Sequence, residues 1–361
     1  MSHPVSALPR STGSIVGRRA RQPWPEDREF RILSIDGGGI RGLFPSGFLA
    51  ALESASACGR PIVDHFDLLA GTSTGGIVAL GLAAGKSAAE IRDLYRTYGP
   101  EIFPPFGDGM VASARRAFMK YAWGLVRYRY SRDALENVVQ RFVGGKTLGD
   151  ACTRLVIPTI DGRHSEVGVF KNRFHPHYKM DHLKSMTEAA LATSAAPTIF
   201  SAYDKDGMRY LDGGVWANNP ILIAVHEVLI AYDVPLDRIR VLSIGCGDEP
   251  YRVTDAMAGK HWIGGGIWGW KGVFGAAMRY QSQSAVNQAR LLLGTDRVIR
   301  VEPSIQGPAI ELDDYVRAVA ELLPAVGPAV ATFGDRIMRD FLDLPAEPFV
   351  PAPWPEAQLV A

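Results

Sequence analysis

Cysteine is scarce: the 361 residues contain three, Cys58, Cys152 and Cys246, widely spaced and with no CxxC pair. That pattern excludes a disulfide framework and a cysteine zinc site. It leaves three small core residues and fits a reducing, cytoplasmic compartment. An excess of either charge is lacking too. With 39 Lys+Arg against 38 Asp+Glu the formal net charge is +1, so the whole molecule has no pull on nucleic acid or acidic lipid, and any such attraction must come from local patches. No segment approaches the roughly 18 consecutive apolar residues of a spanning helix. The first 29 residues hold arginines but no apolar stretch of the kind a secretory signal needs.

What is present is an alternation. Strand-like apolar runs occur at 31–36, 66–71, 154–161, 166–172, 209–214, 238–247 and 297–303. Several are continuously apolar, as strands buried on both faces must be. Helical patterns fall between them. Ser87 with Glu90 and Ser185 with Glu188 each read as a capping box that starts a helix. Residues 219–233 and 271–294 also read as helices, the second stopped by Gly294. The alternation predicts an α/β fold with three α/β/α layers and a mostly parallel central sheet. Residues 1–29, rich in Pro, Ser and charge, read as a flexible arm. Residues 30–345 read as one large catalytic domain and 346–361 as a Pro-rich, irregular tail.

Two glycine-bearing turns stand where strands meet helices. The first, Gly71-Thr72-Ser73-Thr74-Gly75, has the spacing of a nucleophile elbow. Gly71 and Gly75 let the backbone pass close to itself, which lifts the Ser73 hydroxyl out of the sheet and faces it toward a helix N-terminus. The second, Asp36-Gly37-Gly38-Gly39-Ile40-Arg41-Gly42, exposes consecutive N–H groups that can hold an oxyanion or a phosphate, with Arg41 in support. Gly37, Gly39 and Gly42 also satisfy GxGxxG, so a dinucleotide-binding protein is the competing reading. That reading wants an acidic residue closing the second strand and leaves Ser73 without a role.

A serine in such a turn needs a base. None of the eight histidines is well placed. His226 lies in an apolar helical run and reads as a core or groove residue. His175 and His177 read as a solvated loop, and His65 sits at the wrong end of its strand. Asp212 closes a short strand and is followed by Gly213 and Gly214, which give its carboxylate access to a neighbouring hydroxyl. Partial burial would raise its pKa toward that of a useful base. A Ser73–Asp212 dyad is therefore expected.

In this order the three motifs resemble those of the patatin-like phospholipases, whose pattern is a DGGGxRG loop, a GxSxG elbow and a DGG or DGA base motif. The stretches "ATSAAPTIF" (192–200), "NNP" (218–220) and "LSIGCG" (242–247) look similar as well, so the resemblance covers about residues 30 to 305. It implies a patatin-like α/β/α fold and a lipid acyl hydrolase that needs no metal or cofactor. It carries over Ser73 as nucleophile, Asp212 as general base, and Gly37, Gly38 and Gly39 with Arg41 as the oxyanion loop. The layout also resembles bacterial members that act in anti-phage defence and are switched on by a cyclic dinucleotide. The expected partners are a phospholipid membrane surface and such a nucleotide, with no nucleic acid, and the expected place of work is the inner face of the cell membrane. Two stretches could meet lipid: 114–132, where Arg and Lys alternate with aromatics, and 261–274, which gathers three tryptophans among glycines. A catalytically idle lipid-binding protein is the remaining alternative.

Overall fold

The computed structural model describes residues 19–56, 59–104, 128–247, 273–305, 307–308 and 310–353. The strands are β1 (Gln22–Pro23), β2 (Phe30–Ile35), β3 (Leu68–Gly71), β4 (Arg154–Asp161), β5 (Glu166–Lys171), β6 (Tyr203–Lys205), β7 (Met208–Asp212), β8 (Tyr232–Asp233), β9 (Ile239–Ile244) and β10 (Val298–Val301). Every run read as a strand from the sequence forms one. The short β1, β6 and β8 carry too few apolar residues to announce themselves.

Alternate side chains of the central strands feed opposite layers, as the two-residue period of a strand requires. Phe30 and Ile32 of β2 join one hydrophobic cluster, Leu33 and Ile35 the other. The split repeats at Leu68 and Leu69, at Val241 and Leu242, and at Val298 and Ile299. One outer layer holds α1 (Leu43–Ala55), α2 (Thr74–Ala83), α3 (Ala88–Ile102) and the helices Met186–Thr193 and Val326–Ile337. The other holds Ile221–Ala231 and Val273–Leu293. Each large side chain buried this way contributes about 1.5–3 kcal/mol against leaving it in water. Three-layer α/β/α is thus the architecture.

The sheet order is β10-β9-β2-β3-β4-β7-β6, with β5 also on β4. From β10 to β4 the pairs are parallel, and β5, β7 and β6 join antiparallel. β4 carries the detail that matters for function. β5 pairs along it from Val156 to Asp161. Its other edge is shared: β3 pairs at Arg154–Val156 and β7 at Thr159–Asp161. β3 and β7 therefore lie end to end along one edge, running toward each other, and their C-terminal residues meet in the gap.

One sequence reading is corrected here. The arm is packed from Gln22 onward: β1 pairs with β8, and Trp24 is buried against Phe30 and Tyr232. One aromatic anchor outweighs a polar, proline-rich composition. The C-terminal segment has no regular structure through Pro353, yet it is tied down. Ala346 N–H donates to Asp64 O (2.7 Å), Glu347 N–H to Asp67 Oδ1 (3.0 Å) and Ala352 N–H to Arg173 O (2.7 Å).

Helix starts follow the reading with one exception. Ser87 and Glu90 form the full capping box. Ser185 Oγ accepts from Glu188 N–H, but the Glu188 carboxylate turns to Lys184 instead of returning to the cap.

Candidate active site

β3 ends at Gly71 and the chain turns into α2 through Thr72 and Ser73. Ser73 takes φ 53° and ψ −120°, a region costly for a residue with a Cβ. The turn is held by close backbone approaches. A methyl group on Gly71 would fall 2.1 Å from Gly75 O, and one on Gly75 would fall 2.3 Å from Ile35 O. Thr72 N–H donates to Ile35 O (3.2 Å), and Ser73 N–H donates to Thr193 Oγ1 (3.0 Å).

From the opposite direction β7 delivers Asp212. Ser73 Oγ donates to Asp212 Oδ2 at 2.7 Å, and Gly214 N–H donates to Asp212 Oδ1 at 2.6 Å. The helix end Thr193–Ala195 bridges the gap between the two strands. Thr193 Oγ1 donates to Pro158 O (2.6 Å), Gly213 N–H to Thr193 O (3.2 Å) and Asp212 N–H to Ala195 O (3.0 Å). Asp212 is 5% exposed. Burial raises its pKa from 3.8 to about 6, against the opposing hydrogen bonds from Gly214 and Ser73. An ordinary aspartate would be a weak base at neutral pH, and this one is stronger while still mostly ionised.

The triple-glycine loop lies on the other side of Ser73. One expected donor is not available: Gly37 N–H donates to Asn218 O at 3.0 Å. Backbone donors are satisfied wherever a carbonyl is in reach, and the chain after the base loop supplies one. Gly38 N–H and Gly39 N–H have no partner among the described residues. Arg41 is buried. It donates through Nε to Gly38 O (3.2 Å) and through Nη1 to Gly247 O (2.6 Å), so it braces the loop.

Behind the loop is a group that the sequence reading passed over. Arg300 of β10 grips Asp36 with both nitrogens, at 2.8 and 2.7 Å, and donates to Ser243 Oγ at 2.7 Å. It also pairs with Glu302, whose Oε2 accepts Gly247 N–H at 3.2 Å. Asp36, Arg300, Glu302, Gly247 and Arg41 form a continuous brace around the loop. Its signal in the sequence was an arginine inside an otherwise apolar strand, Val298-Ile299-Arg300-Val301. Thr193 lay within 192–200 and Asn218 within 218–220, but nothing in residue type alone gave either one a task.

Among the described residues no histidine bonds Ser73. His65 bonds Leu344 O before β3 begins. His175, read as solvated, is buried, and its Nε2 lies 3.0 Å from Ala20 O; burial lowers its pKa. The packed arm covers it. His226, read as a core or groove residue, is exposed, because the apolar helix Ile221–Ala231 turns that position outward. Of the two stretches proposed to meet lipid, 114–127 and 261–272 lie outside the described residues. Among the described residues no single helix is long and apolar enough to cross a membrane.

Comparison with known proteins identifies the family. The family model described as patatin-like phospholipase matches residues 33–225. A cGAMP-activated phospholipase of Vibrio cholerae is 33% identical over 353 residues, 89% of this chain and 96% of that protein. A cGAMP-activated phospholipase of Pseudomonas aeruginosa is 34% identical over 269 residues, 74% of this chain and 76% of that protein. Patatin-like protein 2 of Arabidopsis thaliana is 35% identical over 275 residues, 66% of this chain and 64% of that protein.

Proposed function

Because this chain belongs to the patatin-like phospholipase family, we propose that it hydrolyses fatty-acyl esters of membrane phospholipids through Ser73 and Asp212, with cGAMP as its activator. The observation that carries the chemistry is the 2.7 Å hydrogen bond from the Ser73 hydroxyl to a buried, pKa-raised carboxylate.

In the first step Ser73 Oγ attacks the ester carbonyl while Asp212 takes its proton. The carbonyl oxygen becomes an oxyanion held by Gly38 and Gly39 N–H, with the α2 N-terminus favouring the charge. Collapse expels the lysolipid alkoxide, which takes the proton from Asp212, and leaves an acyl-serine. Water, deprotonated by Asp212, then attacks that ester, and Ser73 leaves with the proton. Gly37 contributes shape to the loop and no donor. Arg41 holds the loop in place through the Gly38 carbonyl.

Activation by cGAMP is proposed from the two bacterial relatives that carry it in their names. It goes with work at the inner face of the cell membrane, where the enzyme is a peripheral visitor. The GxGxxG alternative has no second observation in its favour: β3, the strand after the loop, ends at Gly71 with no acidic residue.

The test is release of fatty acid from phospholipid vesicles by wild type and Ser73→Ala, each with and without cGAMP and other cyclic dinucleotides. Wild type with cGAMP is expected to release fatty acid and Ser73→Ala to remain at background. Equal release by the two proteins would remove Ser73 from the mechanism. Equal release by wild type with and without every nucleotide would remove the activator.

A further inference from the structure

Asn218 follows the base loop and is 1% exposed. Its backbone oxygen is the acceptor that takes Gly37 N–H. Its side-chain Nδ2 donates to Ser282 Oγ at 3.1 Å, which fixes the plane of the carboxamide. Oδ1 is left buried, with no hydrogen-bond partner among the described residues. Buried amide oxygens are nearly always paired, so an unpaired one beside a reactive dyad calls for a ligand.

Its position says which ligand. A methyl group on Gly37 would fall 2.6 Å from Asn218 Oδ1 and 3.3 Å from Ser73 Cβ. A methyl group on Gly214 would fall 3.3 Å from Asn218 Oδ1 and 3.0 Å from Asp212 Oδ1. The free oxygen thus borders both glycines that flank the dyad, one on the nucleophile's side and one on the base's. It comes this near only because neither position carries a Cβ.

We propose that Asn218 is a further catalytic residue, whose carboxamide oxygen holds the water that hydrolyses the acyl-serine. The inference rests on the acyl-hydrolase reading above. A water molecule attacking an ester has two protons to place. Asp212 takes one, and Asn218 Oδ1 accepts a hydrogen bond from the other, which aims the lone pair at the acyl carbon. As the water oxygen bonds to that carbon, the carbonyl electron pair moves to the oxyanion donors. Collapse then breaks the bond to Ser73 Oγ, which receives the proton from Asp212, and the fatty acid leaves. A neutral amide suits the position. A second carboxylate there would push the Asp212 pKa higher still, and an apolar group would leave the second proton unbound. Attack by the Ser73 hydroxyl in the first step needs no such acceptor, so the residue acts on deacylation alone.

That selectivity is the test. Asn218→Leu keeps the branched outline of the side chain and removes the acceptor, together with the donor to Ser282. Two rates are compared in wild type and variant, both with cGAMP present. The first is labelling of Ser73 by a fluorophosphonate, which uses nucleophile, base and oxyanion donors but no water. The second is steady-state hydrolysis of a p-nitrophenyl acyl ester, with acyl-protein followed by intact mass. Labelling is expected to stay within about 2-fold while turnover falls about 10- to 100-fold, the cost of misplacing one reactant, and acyl-Ser73 accumulates. If the variant does not fold, Ser282→Ala, which frees the carboxamide plane, is expected to show the same split with a smaller fall. Parallel loss of both rates, or no loss in either, overturns the proposal. Wild type that is inert in both assays overturns the acyl-hydrolase reading and this inference with it.

Discussion

A carboxyl group with its ordinary pKa near 4 holds a proton poorly at pH 7, and Asp212 is the residue where the fold changes that. Burial lifts its pKa from 3.8 to about 6, so kcat/KM is expected to rise with pH through about 6 and then level off. A pH profile of ester hydrolysis checks this, and a midpoint near 4 would show that burial does not raise the pKa of the base. The same shift bears on stability. The folded pKa lies above the unfolded one, so the protonated group favours the folded state. Its contribution is fully present below pH 3.8 and is lost as pH rises through about 6. Asp212→Asn is therefore expected to abolish turnover yet melt higher than wild type at pH 8, by an amount on the order of 1–3 kcal/mol, with the gap closing at pH 4. Thermal melts at the two pH values measure it. Ser73 and Asp212 were legible in the sequence because glycines mark the turns that present them. His175 and His226 were misread because burial is a property of the face a neighbour covers, and residue type does not reveal it.

At the scale of elements, the site depends on strands brought end to end and on a loop wedged between neighbours. Gly38 shows the wedge. A methyl group there would fall 2.4 Å from Cys246 Cβ and 2.8 Å from its Sγ, with the next contact at 3.6 Å. Gly38 has φ −179°, a conformation open to any residue, so the obstacle is Cys246 alone. Gly38→Ala is expected to cost about 10²- to 10³-fold in kcat, the loss of one oxyanion donor, and Gly38→Ala/Cys246→Gly to recover a large part of it. No recovery in the double variant would show that the loop is not held by this contact. The brace behind the loop gives a second expectation. Arg300→Met removes the bidentate cation that holds buried Asp36 and is expected to destabilise by about 3–5 kcal/mol. Asp36→Asn/Arg300→Met should regain melting temperature without regaining kcat, as denaturation and turnover measured together would show. Restored kcat in the double variant would limit the pair to a role in stability. The strands themselves could be read from apolar runs, but the meeting of β3 and β7 on one edge of β4 could not. That arrangement depends on long-range register, set by Val156 pairing with Ala70 and Thr159 with Asp212.

For the whole molecule, the three layers follow from strands with two apolar faces and helices with one, and that much was written in the apolar pattern. The packing of the arm was not, because Trp24 anchors a segment whose composition reads as loose. The central claim is that these layers exist to bring one hydroxyl against one carboxylate for acyl transfer. Its most direct test is peptide mapping by mass spectrometry after reaction with a fluorophosphonate in the presence of phospholipid vesicles and cGAMP. A single adduct is expected on the peptide containing Ser73, absent in Ser73→Ala and strongly reduced in Asp212→Asn. An adduct on another serine, or undiminished labelling of Ser73 in Asp212→Asn, would contradict it.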